Sequence, residues 1–199
     1  MLQWFIDNWL EIFGAASCLL YIYLEIKQRS SLWIVGIISS AIYVVVFFQR
    51  NFLAFAALYV YYVAVSIYGI YSWRFSKGMK DAPERPVIRL NITLGIVLAI
   101  ITVAIFFITG YVLNNYVDFP AIPPYYEALA TSLSVVATWM LARKILEQWY
   151  VWIFVNFFSS ALYFFGGLYP TGVLFVIYGI MSVTGLMKWK QSFNSVKVT

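Results

Sequence analysis

The sequence predicts an all-α integral membrane protein that crosses the bilayer seven times. Its 199 residues are 63% hydrophobic and only 11% charged, whereas a soluble domain carries roughly 25% charged residues. With a mean hydropathy of +0.84, the chain lacks the polar side chains needed to cover a surface that faces water. The apolar runs are continuous, whereas a β-barrel would show segments of ~10 residues with alternating polarity.

Seven apolar runs are long enough to cross a bilayer, which takes about 20 residues of helix. Short joints with charged, glycine or proline residues separate them. We predict spans at residues 9–26, 31–49, 52–75, 87–110, 125–142, 148–168 and 171–189. No basic segment precedes the first run, so we expect a retained span there rather than a signal peptide.

The positions of the basic residues test this count. When the N-terminus is placed outside, twelve of the thirteen lysines and arginines fall on the cytoplasmic side, and only Arg50 falls outside. Cytoplasmic loops of membrane proteins are enriched in these residues. We therefore predict that the N-terminus is outside and the C-terminus is in the cytoplasm.

A shift of 116 residues places the first three spans on the last three. It pairs Glu11 with Glu127, Lys27 with Arg143, Trp33 with Trp149, Tyr62 with Tyr178, Gly69 with Gly185, and Trp73 with Trp189. Chance alignment of two aromatic-rich stretches is the alternative, and the matched charges and glycines argue against it. The single span between the two units makes them parallel, and parallel repeats occur in transporters that bind substrate between the repeats.

The repeat predicts how the chain is organised. We expect one membrane domain, 1–199, with a first three-helix repeat at 9–75 and a second at 125–189. The linker between them, 76–124, contains the central helix 87–110. This is a 3+1+3 plan.

The composition excludes several classes of function. The chain has no histidine and a single cysteine, Cys18, so we expect no zinc, haem or di-iron centre and no internal disulfide. It has no phosphate-binding loop and no G-x-S-x-G or H-E-x-x-H motif, so we expect neither an enzyme nor a cofactor. The net charge of +5 is not clustered on a soluble face, so we expect no nucleic-acid partner. Ionisable residues lie at the ends of spans, which favours facilitated diffusion over coupling to an ion gradient.

The sixth span carries the most distinctive polar feature. Trp149, Trp152 and Asn156 are spaced i, i+3 and i+7, which keeps them within about 60° of one line along a helix. These three residues form the Trp–Asn stripe. Two indoles and an amide on one line can stack on a flat aromatic ligand and bond its polar edge. The simpler alternatives are an interfacial aromatic belt for Trp149 and an interhelical hydrogen bond for Asn156.

Hydroxyl residues and two acids complete the predicted substrate site. Helix packing is the simpler role for small hydroxyl residues in membranes, but some of them can bond a substrate. The candidates are Tyr59, Tyr62, Thr131, Ser134, Thr138 and Tyr178, with Glu11 and Glu127 at the outer mouth. These two acids can attract a cation. The counterparts of the stripe in the first repeat are Trp33, Gly36 and Ser40, so we expect an asymmetric site that belongs mainly to the second repeat.

Three segments resemble the PnuC family of vitamin transporters from bacterial inner membranes. They are Leu141-Ala-Arg-Lys144, Trp149 to Asn156, and Tyr68-Gly-Ile-Tyr-Ser-Trp73. The resemblance extends over nearly the whole chain. It implies a SWEET-like 3+1+3 fold, ion-independent uptake, and trapping of the substrate through phosphorylation by a cytoplasmic kinase. It also implies that the Trp–Asn stripe holds the substrate.

The resemblance implies nicotinamide riboside as the substrate, with thiamine as the alternative. Both are flat aromatic cations, which suit stacking and cation–π contact with indoles. Tyr59 stands where nicotinamide riboside carriers tend to have an amide, and the segment from Trp139 to Lys144 is similar to members that carry thiamine. A sugar uniporter and a non-transporting receptor or enzyme are less favoured, because of the paired tryptophans and the repeat. Membrane lipid is the expected surrounding, and a homo-oligomer such as a trimer is left open.

Overall fold

The computed structural model describes residues 9–49, 53–75, 85–116 and 123–196. Within these ranges, it does not describe the side chains of residues 9–15, 46, 47, 49, 53–55 and 196. The described part is built of seven α-helices. They are α1 (Trp9–Ile26), α2 (Leu32–Gln49), α3 (Leu53–Phe75), α4 (Ile92–Tyr116), α5 (Pro124–Ala142), α6 (Gln148–Phe165) and α7 (Tyr169–Val196).

The predicted spans 9–26, 31–49, 52–75 and 125–142 match α1, α2, α3 and α5 to within one residue at each end. The predicted fourth span, 87–110, is wrong at both ends, because α4 begins five residues later and ends six residues later.

Backbone pairing explains the late start of α4. The N–H of Ile88 donates to the carbonyl oxygen of Lys144 at 3.0 Å, and the N–H of Leu146 donates to the carbonyl oxygen of Ile88 at 2.9 Å. These bonds hold the segment before α4 in an extended conformation against the α5–α6 turn. Asn91 then caps the helix, since its Oδ1 accepts the N–H of Leu94 at 2.7 Å. Capping of this kind fixes where a helix begins.

The last two predicted spans, 148–168 and 171–189, also differ from their helices. α6 ends three residues earlier than predicted, while α7 begins two residues earlier and continues for seven more. Gly167 lies between them with φ at 75°, a conformation that costs glycine little. Pro170 occupies the second position of α7, where its missing N–H needs no helical partner.

One face of α4 is apolar and open to the surroundings. Ile92, Ile100 and Phe107 are 84%, 65% and 62% exposed. Such a face is out of place in water and is the normal surface of a helix that contacts lipid. α4 and α7 are also long and apolar enough to cross a membrane, with mean hydropathies of 2.8 and 1.6.

The other six helices follow one another in a closed ring of contacts. α1 packs against α2, α2 against α3, α3 against α5, α5 against α6, α6 against α7, and α7 against α1. α4 packs against α5. The ring leaves room for cavities between its helices, and those cavities are described below.

The turns that follow α1 and α5 have the same backbone geometry, 116 residues apart. Gln28 and Lys144 both adopt the left-handed conformation, with φ of 56° and 53°. In each turn the next residue donates its N–H to the carbonyl oxygen five residues earlier, at 2.9 and 3.0 Å. This is a common way to end a helix, and here it occurs twice at corresponding positions.

Two buried tryptophans form corresponding hydrogen bonds between helices. The indole N–H of Trp73 in α3 donates to the carbonyl oxygen of Leu141 in α5 at 3.2 Å. The indole N–H of Trp189 in α7 donates to the carbonyl oxygen of Glu25 in α1 at 3.0 Å. Donors and acceptors of the two bonds are each 116 residues apart. The last helix of either three-helix set is thus tied to the first helix of the other.

Two tryptophan–glycine contacts also correspond. A Cβ atom added to Gly69 would lie 2.3 Å from the ring of Trp33, and one added to Gly185 would lie 2.3 Å from the ring of Trp149. Only glycine permits approaches this close. The two hydrogen-bonding indoles complete a chain of four rings, with centroid separations of 5.6, 6.2 and 5.6 Å.

Candidate substrate-binding site

The first cavity lies between α1, α6 and α7 and has a volume of about 160 Å³. The Trp–Asn stripe of α6 forms one wall, so the structure brings all three stripe residues to one cavity. The facing walls come from α1 and α7, with the side chains of Cys18, Tyr21, Ile22, Glu25, Tyr178 and Ser182. An aromatic and apolar lining with a few polar groups is typical of a small-molecule site.

The two indoles of the stripe have different surroundings. Trp149 is fully buried, where it packs on Gly185 and meets Trp189 edge to face. Trp152 is only partly buried and lines the first cavity and a second one beside it. Among the described residues, neither indole N–H of the stripe has a hydrogen-bond partner. Because buried indole N–H groups usually have one, these two donors are suited to a ligand or to water.

Asn156 is held by α7. It is 5% exposed, and its Nδ2 donates to the Oγ of Ser182 at 3.1 Å. Ser182 in turn donates to the carbonyl oxygen of Tyr178 at 2.8 Å. The chain of bonds fixes the orientation of the amide at the cavity wall, and it uses only one of the amide's two N–H donors.

The second cavity lies between α1, α2 and α3 and has a volume of about 230 Å³. It shares Cys18, Tyr21 and Trp152 with the first cavity. Most of its other lining residues carry a hydroxyl group: Ser17, Ser39, Ser40, Tyr43, Tyr59, Tyr62, Ser66 and Thr138. Three predicted candidates, two tyrosines of α3 and the threonine of α5, are placed here. The hydroxyl of Thr138 donates to the carbonyl oxygen of Ser134 at 2.7 Å. Hydroxyls both donate and accept hydrogen bonds, so ligand hydroxyls can find partners along this largely apolar lining.

The repeat relates the two cavities to each other. A shift of 116 residues converts Trp152, Asn156, Tyr178 and Ser182 of the first into Gly36, Ser40, Tyr62 and Ser66 of the second. The largest change is from tryptophan to glycine. A Cβ atom on Gly36 would lie 2.8 Å from the Oγ of Ser66 and 3.1 Å from the ring of Tyr21, so a larger residue does not fit there.

The structure adds residues that the sequence analysis did not assign to the site, and Glu25 and its partner Gln148 are the most polar of them. Glu25 is 4% exposed and lines the first cavity beside the stripe. Its Oε1 accepts a hydrogen bond from the Nε2 of Gln148 at 3.0 Å. The sequence signal was the spacing of Glu25 from Tyr21 and Cys18, at i+4 and i+7, which puts all three on one face of a helix.

Other predicted candidates lie elsewhere. Thr131 and Glu127 line a third cavity of about 260 Å³ between α3, α4 and α5. Ser134 donates to the carbonyl oxygen of Ala130 within α5 at 2.8 Å, and it lines neither the first nor the second cavity. The side chain of Glu11 lies outside the described part of the chain.

Comparison with known proteins identifies the family. The family model for nicotinamide mononucleotide transporters matches residues 8–191. The chain belongs to this family. The resemblance to PnuC transporters predicted from the sequence is thereby confirmed, and this family member is a membrane transporter of a small vitamin-like molecule.

Individual proteins that are similar to this chain are also transporters of this kind. Two proteins named nicotinamide riboside transporter PnuC, from Escherichia coli strain K12 and from Shigella flexneri, are each 24% identical to it over 206 residues, which cover 93% of this chain and 86% of each relative. A crystal structure of the vitamin B3 transporter PnuC superposes with a TM-score of 0.72 at 22% identity, and the match covers 96% of this chain and 86% of that one. The predicted all-helical fold is confirmed by this likeness.

Proposed function

We propose that this chain carries nicotinamide riboside across the bacterial inner membrane by facilitated diffusion. Two relatives are named for that substrate, whereas the relatives described above give thiamine no support. The observation that carries the proposal is the pair of adjoining cavities, one aromatic and one rich in hydroxyls, with Trp152 lining both.

The two parts of a riboside match these two cavities. The nicotinamide ring is flat and positively charged, and a cation–π contact with a desolvated indole is worth about 2 kcal/mol. Asn156 can exchange hydrogen bonds with the carboxamide on the ring, as an amide both donates and accepts. The ribose hydroxyls then face Tyr59, Tyr62 and Thr138 in the second cavity. Thiamine has a single hydroxyl group and would make fewer hydrogen bonds to this lining than the three ribose hydroxyls can.

The proposed transport cycle uses two parallel three-helix units in a 3+1+3 plan. The reciprocal bonds of Trp73 and Trp189 support it, as does the paired turn geometry. The first cavity is lined from both units, because α1 belongs to one and α6 and α7 to the other. Rocking of one unit against the other opens such a shared site to either side of the membrane in turn.

In this proposal, phosphorylation of the substrate in the cytoplasm makes net transport inward. The distribution of basic residues supports an N-terminus outside and a C-terminus in the cytoplasm. A cytoplasmic kinase that phosphorylates the riboside adds a charged group that this route does not carry back.

Calorimetric titration of the purified protein tests the substrate. We expect nicotinamide riboside to bind, and thiamine to bind at least tenfold more weakly. Replacing Trp152 by Ala should weaken riboside binding about 30-fold, because stacking on an aromatic side chain is worth roughly 2 kcal/mol. The matched control is Trp139→Ala, since Trp139 lies on α5 against α4 and lines neither site cavity. Tighter binding of thiamine than of the riboside, or equal riboside binding by the Trp152 and Trp139 variants, would contradict the proposal.

A further inference from the structure

Glu25 is an acid in an unusual place. It lies in the last turn of α1, it is 96% buried, being 4% exposed, and it lines the first cavity together with the Trp–Asn stripe. Burying a carboxylate without a partner charge is costly, and acids within membrane spans are rare and usually functional. A negative charge near the C-terminus of a helix is also unfavourable, since the helix dipole is negative there.

The neighbours of Glu25 do not supply a positive charge. Its side chain accepts a hydrogen bond from Gln148, which is itself fully buried, and its backbone oxygen accepts the indole N–H of Trp189. Both partners are neutral. These two hydrogen bonds bring no lysine or arginine against Glu25. The contacts hold Glu25 firmly at the cavity wall but leave a carboxylate there unbalanced.

We propose that Glu25 is the counter-charge for the cationic ring of the substrate and that it selects charged rings over neutral rings of the same shape. This inference rests on the proposed function. The ring that stacks on Trp152 lies in the cavity that Glu25 lines, and opposite charges attract strongly where water is excluded. Gln148 positions the carboxyl group by donating to one of its oxygens, which leaves the other oxygen for the ligand.

The arrangement also explains the asymmetry of the two cavities. The residue that corresponds to Glu25 in the second repeat is Leu141, and the residue that corresponds to Gln148 in the first repeat is Leu32. Both leucines are fully buried. The polar pair therefore occurs only beside the cavity that carries the two indoles of the stripe, where the charged ring is proposed to bind.

The test compares two ligands that differ in charge. Nicotinamide riboside has a positive pyridinium ring, whereas its reduced dihydropyridine form is neutral and nearly the same size. We expect the wild-type protein to prefer the charged form. Glu25→Gln keeps the size of the side chain and a carbonyl acceptor for Gln148 but removes the charge. It should weaken binding of the charged form at least tenfold and change binding of the neutral form less than threefold.

Glu25→Asp is the matched control, because it keeps the charge and should keep the preference for the charged ring. If the Gln variant does not fold, Glu25→Met gives the same comparison with an uncharged side chain of similar length, which is needed because the indoles by themselves also favour a charged ring. An equal loss of affinity for both ligands in the Gln variant, or no preference for the charged ring in wild type and in the Asp variant, would overturn the inference while leaving the proposed function intact. A wild-type protein that binds neither ligand would overturn the proposed function and the inference with it.

Discussion

At the scale of single residues, the two tryptophans of the stripe differ in what they contact. Trp149 is fully buried against Gly185 and belongs to the chain of four indoles. Trp152, one turn along α6, lines both cavities. The spacing in the sequence put both on one face of a helix but could not distinguish them. The difference comes from α7, because Gly185 leaves room for the ring of Trp149 between α6 and α7.

Asn156 provides a prediction at this scale. Asn156→Leu keeps the side-chain volume and removes the amide, so we expect riboside binding to fall roughly 10-fold to 100-fold. This corresponds to about 1.5–3 kcal/mol for a hydrogen bond to a charged or well-placed ligand. Ser182→Ala is the comparison, because Ser182 only orients the amide. Its loss should be near threefold, as hydrogen bonds between membrane helices are worth about 0.6 kcal/mol.

Titration calorimetry on both variants, with melting curves to confirm folding, measures this difference. Full affinity in the Leu variant would show that the amide does not contact the ligand. A larger loss in the Ser182 variant than in the Leu variant would show that the serine, rather than the amide, meets the substrate.

At the scale of helices, the sequence predicted where the chain is apolar better than where each helix begins. The span of α1 was correct at both ends, because charged residues flank it. The start of α4 was misplaced because Ile88 pairs with Lys144 and Leu146, 56 and 58 residues along the chain, and no local pattern reports such pairing. Glu25 was not assigned to the site from the sequence, because its burial depends on α6 and α7.

Close helix packing at glycine gives the prediction for this scale. Gly185→Ala would set a Cβ atom 2.3 Å from the ring of Trp149, and overpacking of this kind costs about 1–3 kcal/mol. Gly69→Ala meets the same obstacle at Trp33 and should cost a similar amount. We expect both variants to melt several degrees below wild type in detergent.

Gly95→Ala is the control for these variants. The nearest atom to a Cβ there is a side-chain carbon of Leu90 at 3.5 Å, an ordinary contact, and alanine favours a helix over glycine by about 1 kcal/mol. This variant should melt at or above the temperature of wild type. Melting of all three glycine variants at the wild-type temperature would contradict the tight packing seen at the two tryptophans.

At the scale of the whole molecule, the two three-helix sets share one frame but differ in their cavities. The frame consists of residues that repeat in kind: the bonding pair Trp73 and Trp189 and the packing pair Gly69 and Gly185. These matches were visible in the sequence as identical residues separated by 116 positions. The two cavities differ from each other where the repeated positions carry different residues, as with Gly36 and its counterpart Trp152. A pattern search finds what two repeats share, so the asymmetric site was harder to predict than the frame.

Cys18 makes the transport cycle testable in the unmodified chain. It is the only cysteine in the sequence, and it lines both cavities. A membrane-impermeant thiol reagent reaches it only when a cavity is open to water on the side of addition. We expect saturating nicotinamide riboside to slow this labelling at least tenfold, because the bound ligand fills the space beside the thiol.

The side of access then separates alternating access from a one-sided binding pocket. In right-side-out and in inverted vesicles, the same reagent should label Cys18 from either face, and the riboside should protect it in both. Cys18→Ser vesicles, which have no thiol, give the background. Labelling from one face alone would contradict a site that opens to both sides. Labelling that proceeds at the same rate with and without riboside would show that the substrate binds away from these cavities, because no ligand seated beside Trp152 and Tyr21 can leave the neighbouring thiol equally accessible.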